Sequence, residues 1–450
     1  MKKYVFLAVL AALFLGGCAS KDLNYEPREV VRDYNASWQF KFENAKLNEL
    51  IDMALRNNEN LRVAAANLGK ALANAGLARD DLFPTLSASA SGTTSRDIST
   101  NDNWAKTYKS QFALSWELDI YGRIYDAYAS KNWSAIESSL SLVNTRLSIV
   151  NSVIDEYFHI LYLNDQIRNL NSNLNNLREL DALVNQKYTL GKEEFLAVRQ
   201  SRQNMLNVEN NLLAARRNLE TSYETLNNLT RNSERFDELG ILDFNLEDLD
   251  FKFEIGEGGE VKFDFIEDFE GRIARRPDVN AALAALNAAF YDYRGAQKAF
   301  YPSITVGGSL GDSDEKFSKS FGFNLLSGNF SVKLPFLDYF RLKNKLKVSE
   351  YAFEGLRATY EKTLKNAINE AIKYGAYYEI DRADLENLEK ILAENEKIVE
   401  LYERKYDAGR TELKDLLNAR NDLIGTQNSF LKQKYLIISD YISYNKASAR

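Results

Sequence analysis

Between residues 85 and 118 the chain alternates. Tyr108, Phe112, Leu114, Trp116 and Leu118 are apolar at even positions, and Lys109, Gln111, Ser115 and Glu117 are polar at odd ones. A period of two predicts a strand with one apolar and one wet face. Leu86, Ala88 and Ala90 alternate more mildly with Thr85, Ser87, Ser89 and Ser91. Ile304 and Val306 repeat the pattern after Pro302, and Phe330, Val332, Leu334 and Phe336 repeat it around Ser331 and Lys333. Four strands are predicted. Elsewhere the pattern is helical. Ile167, Leu170, Leu174, Leu177, Val184 and Tyr188 occupy heptad positions broken by Asp181. A continuous helix from Tyr125 to Lys187 would be on the order of 90 Å long. A compact globule has no need of that length, whereas a bridge across a gap does.

The chain is written twice. At an offset of 218 residues, "LFPTLSASASG" (Leu82–Gly92) falls on "FYPSITVGGSL" (Phe300–Leu310), and "KYTLGK" (Lys187–Lys192) on "KYDAGR" (Lys405–Arg410). Arg123 meets Arg341, Arg202 meets Arg420 and Tyr223 meets Tyr441. The heptad returns as Leu385, Leu388, Leu392, Val399, Tyr402 and Tyr406, broken by Asn395. Generic coiled-coil similarity would not align the prolines and glycines. Each copy reads as a helix (about 47–82 and 271–300), two strands, a long helix, a tight tip and another long helix. Pro277 and Asp278 suit a first helical turn.

The expected organisation is a signal peptide over 1–17, an anchored arm over 18–46, a first repeat over 47–233, an acidic segment over 234–271 and a second repeat over 272–450. The acidic segment carries fourteen acidic and three basic residues. Within it Leu249, Phe251, Phe253 and Ile255, then Val261, Phe263 and Phe265, alternate around "GEGGE" and predict a β-hairpin. Its acidity reads as a solvated face, since no calcium-ligand spacing is present.

Composition removes several function classes. A formal charge of −7 and the absence of a basic tract argue against a nucleic-acid partner. One histidine and one cysteine exclude a Cys/His zinc site and an internal disulfide. No cofactor is expected. Lys2 and Lys3 precede an apolar run from Tyr4 to Leu15, followed by "LGGCAS". The run is too short to span a bilayer. It predicts a lipoprotein signal with lipid attached at Cys18, against the plainer reading of an ordinary signal peptide. A lipid anchors a chain without spanning it.

The strands supply the spanning element. They have the length of tilted transmembrane strands, and Trp104, Tyr108, Trp116, Tyr121, Tyr301 and Tyr339 gather near their ends as an interfacial belt. The rival reading is a soluble sandwich. Four strands cannot close, and an open edge in hydrocarbon leaves backbone groups unpaired at several kcal/mol each. Two chains would give eight strands and three would give twelve. Small and hydroxylated inward residues favour a lumen, and therefore a trimer.

"SWELDIYGR" (Ser115–Arg123), "RRPDVNAALAAL" (Arg275–Leu286), "FYPSITVGGSLG" (Phe300–Gly311), "LPFLDYFR" (Leu334–Arg341) and "KYDAGRTELKDLLNAR" (Lys405–Arg420) resemble the TolC-like outer-membrane efflux factors, in the lipoprotein branch serving tripartite pumps. The resemblance covers essentially the whole mature chain. It implies an α+β membrane protein: a homotrimer with a shared 12-stranded β-barrel in outer-membrane lipid and a 12-helix α-barrel tunnel through the periplasm. The implied partners are an inner-membrane pump and a periplasmic adaptor, and no catalysis is implied.

The resemblance also carries site residues. The tips Tyr188–Lys192 (Tyr188, Gly191, Lys192) and Tyr406–Arg410 (Tyr406, Gly409, Arg410) match the places where adaptor hairpins dock. Gly191 and Gly409 also suit left-handed helix ends. Asp415 matches an acidic pore position one turn into the last helix. The family's second acid is Asn418 here, so one carboxylate ring would stand in place of two. At about 7 Å, each pair in such a ring would repel by roughly 2 kcal/mol at an effective dielectric of about 20, which favours cations. The bland alternative is a surface aspartate beside Lys414. The runner-up function is a lipid-anchored periplasmic adaptor. An enzyme is disfavoured: in Glu193-Glu194 and Asp155-Glu156 neighbouring carboxylates point apart on a helix.

Overall fold

The computed structural model describes residues 23–30, 44–97, 99, 103–231, 271 and 273–448. Cys18, the signal segment and the predicted acidic hairpin lie outside the described residues. The elements, in order, are α1 (Ala45–Asn57), α2 (Glu59–Asp80), β1 (Thr85–Ser95), β2 (Ala105–Leu118), α3 (Arg123–Thr189), α4 (Phe195–Thr230), α5 (Pro277–Lys298), β3 (Ser303–Asp314), β4 (Leu325–Lys333), α6 (Tyr339–Asp407) and α7 (Leu413–Ala447). Helices α3 and α6 run for 67 and 69 residues. Among the described residues no helix is long and apolar enough to cross a membrane.

The chain forms two compact units. One comprises 68–138 and 281–360 with the described part of the first thirty residues. It contains a single antiparallel sheet in the order β1-β2-β3-β4. The register puts the predicted apolar residues that lie within the strands on one face. Leu86 stands opposite Leu114, and Leu114 opposite Gly308. Phe112 stands opposite Leu310 and Leu310 opposite Leu326, while Trp116 is opposite Val306 and Val306 opposite Phe330. The other face carries Ser87, Ser89, Gln111, Ser115, Thr305, Ser331 and Lys333. The apolar face is bare, with Leu86 74%, Leu326 80% and Phe330 67% exposed. Strands β1 and β4 are each paired on one side only.

Glycine keeps β3 close to its neighbour. A Cβ on Gly311 would lie 2.5 Å from the Ser110 carbonyl oxygen. Strand β4 ends at Lys333, short of the predicted alternation. Pro335 has no N–H for the ladder, and residues Pro335–Asp338 turn as a 3₁₀ helix. Leu334 and Phe336 therefore lie outside the strand.

The turn from β2 into α3 explains "ELDIYGR". Glu117 pairs with Arg123 at 2.7 Å. Asp119 accepts from the amides of Ile124 and Tyr125 at 2.9 and 2.7 Å, capping α3. Gly122 takes φ +72°, which a side chain would resist. Inside this unit, buried Asp126 meets Lys298 at 2.6 Å and Arg294 at 3.6 Å. A core of Leu286, Ala289, Tyr293 and Phe353 closes around Tyr25 and Phe290.

The second unit holds 44–67, 139–231, 273–280 and 361–448 among its described residues. Its largest core gathers Leu47, Leu50, Ile51, Val150, Ile154, Tyr157, Phe158, Leu161, Leu226, Leu431 and Ile438. The first predicted helix, 47–82, proves to be two. Asn58 breaks it at ψ 127°, and its side-chain Nδ2 donates to the Leu229 carbonyl at 3.0 Å. Its side-chain Oδ1 accepts from the Asn60 backbone amide at 2.9 Å, so the break is capped. The position 218 residues on is Arg276, whose guanidinium donates to the Ala447 carbonyl at 3.2 Å. Leu229 and Ala447 are also 218 apart, so the duplication survives as a shared contact. Pro277 opens α5 directly after it, which moves that helix's start past the predicted 271.

Candidate functional site

The two hairpin tips are built alike. In the first, the Gly191 amide donates to Tyr188 O and the Lys192 amide to Lys187 O, both at 2.9 Å. In the second, Gly409 donates to Tyr406 O at 2.9 Å and Arg410 to Lys405 O at 2.8 Å. Both glycines are left-handed, at φ +67° and +70°. This paired bonding satisfies the last helical carbonyls and needs a residue without Cβ strain at the turn. Tyr188, Lys192, Tyr406 and Arg410 stand exposed around it.

The tips touch each other. Lys187 at the end of α3 meets Glu412, just before α7, at 2.7 Å. Beneath that pair, Leu413 and Leu417 of α7 pack against Leu177, Leu180, Val184 and Val198. Glu412 had no signal in the sequence. Its role depends on a neighbour 225 residues away.

Asp415 and Asn418 lie one turn apart on α7, both exposed. Asp415 accepts from the Thr411 hydroxyl at 2.9 Å. It sits in the first turn of α7, where a carboxylate complements the helix dipole. Asp422 continues the exposed stripe at the spacing of one helix face, and sequence reasoning missed it. Asn395, the polar break in the second heptad, donates to the Thr426 hydroxyl at 2.7 Å.

The belt residues divide between the two ends of the sheet. Trp116, Tyr121, Tyr301 and Tyr339 lie where β1 and β3 begin. Tyr121 stacks on Tyr301 at 4.8 Å, Tyr339 packs edge-on to Phe300 at 6.1 Å, and Trp116 donates to Leu82 O at 2.9 Å. Tyr108 lies at the other end against Phe317 at 5.6 Å, with Trp104 exposed nearby in the chain.

Near the C-terminal end of α7, Asp440 hydrogen-bonds to Asp381. Burial first, and that neighbouring carboxylate second, raise its pKa to about 7. The single histidine, His159, stacks on Tyr435 at 5.1 Å and shares a 3.0 Å hydrogen bond with Ser222. Among the described residues no group of His, Cys, Asp or Glu is arranged to hold a metal ion.

A family model described as "Outer membrane efflux protein" matches residues 50–230 and 272–446. The chain is 29% identical to "Toxin and drug export protein A" of Aggregatibacter actinomycetemcomitans over 97% of its own length and 95% of the relative's. It is 24% identical to "Probable outer membrane lipoprotein SilC" of Salmonella typhimurium, over 97% and 96%. The fold matches the Campylobacter jejuni CmeC outer membrane channel with a TM-score of 0.78 at 23% identity, covering 95% of this chain and 90% of that one.

Proposed function

The chain belongs to the outer membrane efflux protein family, and on that premise we propose the following mechanism. Three copies join their four-stranded sheets edge to edge into a twelve-stranded barrel. Their hairpins form a helical conduit that receives substrates from an inner-membrane transporter through a periplasmic adaptor. The observation that carries this is the sheet: one face predominantly apolar, with Leu86, Leu326 and Phe330 exposed, the other largely polar, with β1 and β4 each paired on one side only. In hydrocarbon such edges have to be paired, and other copies supply matching ones. The strands, 9 to 14 residues long, meet the requirement of about 9–11 for a tilted span. Isolation of a heat-resistant trimer from outer membrane, conducting in planar bilayers, supports this reading. A stable monomer with no affinity for lipid refutes it.

Three finer assignments accompany it. Cys18 carries a lipid anchor, as the lipoprotein name of one relative suggests. The turns at Tyr188–Lys192 and Tyr406–Arg410 receive the adaptor, because they are irregular surfaces with exposed tyrosine and cationic side chains. Asp415 forms a carboxylate ring that constricts the conduit near its periplasmic end and opens when the tips part. Substitution Asp415→Ala is expected to raise single-channel conductance and lower cation preference. Unchanged values for both would remove Asp415 from the gate.

A further inference from the structure

We infer that Lys405 of each copy forms an ion pair with the partner's Glu194, closing the ring of tips between copies as Lys187–Glu412 closes it within one. This rests on the ring assembly proposed above. The argument is the 218-residue repeat. Lys187 advanced by 218 is Lys405, and Glu412 moved back by 218 is Glu194. Glu194 and Glu412 both occupy the cap position preceding the helix that leaves the tip, with the same extended backbone, φ −84° and −86°. In the single chain Glu194 is exposed, and the Lys405 ammonium rests 5.5 Å over the Tyr402 ring.

The surfaces beneath these charges agree. Within the chain, the seam between α3 and α7 buries Leu180 to 5% and Leu417 completely, with Leu413 packed beside them. Part of the repeat-related surface is uncovered. Ile398, the counterpart of Leu180, is 42% exposed, and Phe195, the counterpart of Leu413, is 50% exposed. Leu177, packed in the same cluster as Leu417, is buried, whereas its counterpart Asn395 is only partly buried. The chain thus carries both halves of a second seam, Ile398 and Lys405 on one side and Phe195 and Glu194 on the other. They lie on opposite flanks of the hairpin pair, so they meet head to tail between copies, a contact that closes into a ring. One substitution distinguishes the seams. The counterpart of Leu417 is Arg199, whose guanidinium lies 4.7 Å over Phe195. The seam between copies is the more polar of the two.

The test uses the full chain with Lys405→Cys and Glu194→Cys together, assembled in detergent and treated with a short bismaleimide. Covalent dimers and trimers in denaturing gels, absent when either substitution is made alone, are the expected result. An oligomer in detergent that yields only single chains, or chains linked internally, overturns the pair while leaving the ring assembly standing. A chain that is monomeric before cross-linking overturns the assembly itself. A charge reversal provides an independent route. Lys405→Glu and Glu194→Lys each lower the temperature at which the oligomer dissociates, and the double reversal restores it. Single reversals without effect overturn the proposal.

Discussion

Arg276 shows how a cation is kept inside this protein. Its side chain is 7% exposed, yet it holds Asp278 at 2.7 Å, Glu370 at 3.0 Å and the Ala447 carbonyl. Removing one member of a buried ion network leaves the others uncompensated, at about 3–5 kcal/mol when all are buried. Asp278 and Glu370 retain contact with water, so Arg276→Met is expected to cost roughly 2–3 kcal/mol, measured as a lowered urea midpoint. Asp440 gives a pH dependence of definite sign. Its pKa rises to about 7 in the fold, against about 3.9 for a free carboxyl. Between those values the folded chain holds a proton that the unfolded chain releases. Stability is therefore greatest below the window and falls as pH rises through it. Solvent screening limits the effect to roughly 1–2 kcal/mol. The expected result is a melting temperature that drops between about pH 4 and pH 7 and does so far less in Asp440→Asn. None of this was legible in the sequence. Arg276 and Asp440 are ordinary charged residues until the fold brings Glu370 and Asp381 beside them. The tip glycines were legible because a left-handed helix end is a local demand of the backbone.

The elements were legible where one period ran undisturbed. Alternation located the strands, and the observed register gathers all their even positions on one face. The long helix predicted from Tyr125 to Lys187 is observed as Arg123–Thr189. Interruptions were harder. Asn58 continues a helical pattern in sequence, and it breaks the helix because the Leu229 carbonyl offers its side-chain amide a partner. Leu334 and Phe336 carried the predicted alternation beyond Lys333, whereas Pro335 ends the strand. The two faces of the sheet make opposite demands, which separates a membrane strand from a soluble one. Phe330→Arg, on the apolar face, is expected to destabilise the inserted state by about 2–4 kcal/mol. Ser331→Arg, one residue on and facing the other way, is expected to be tolerated. The yield of heat-resistant oligomer from each variant measures the difference.

On the scale of the whole molecule, the duplication is the organising fact. It places two tips of the same construction on one chain and leaves a second seam uncovered. The family membership and the channel function were legible because five motifs stand in order along a duplicated chain. The ion pair between the tips was not, since Lys187 and Glu412 share no local pattern. The two unpaired margins of the sheet have a kinetic consequence. A lone chain entering a bilayer would carry both of them into hydrocarbon, so insertion cannot precede association. Entry into lipid vesicles should then accelerate more steeply than in proportion to protein concentration, with a reaction order above one. Strictly first-order entry, measured by protection of the strands from protease over a dilution series, would mean that a solitary protomer crosses the barrier unaided.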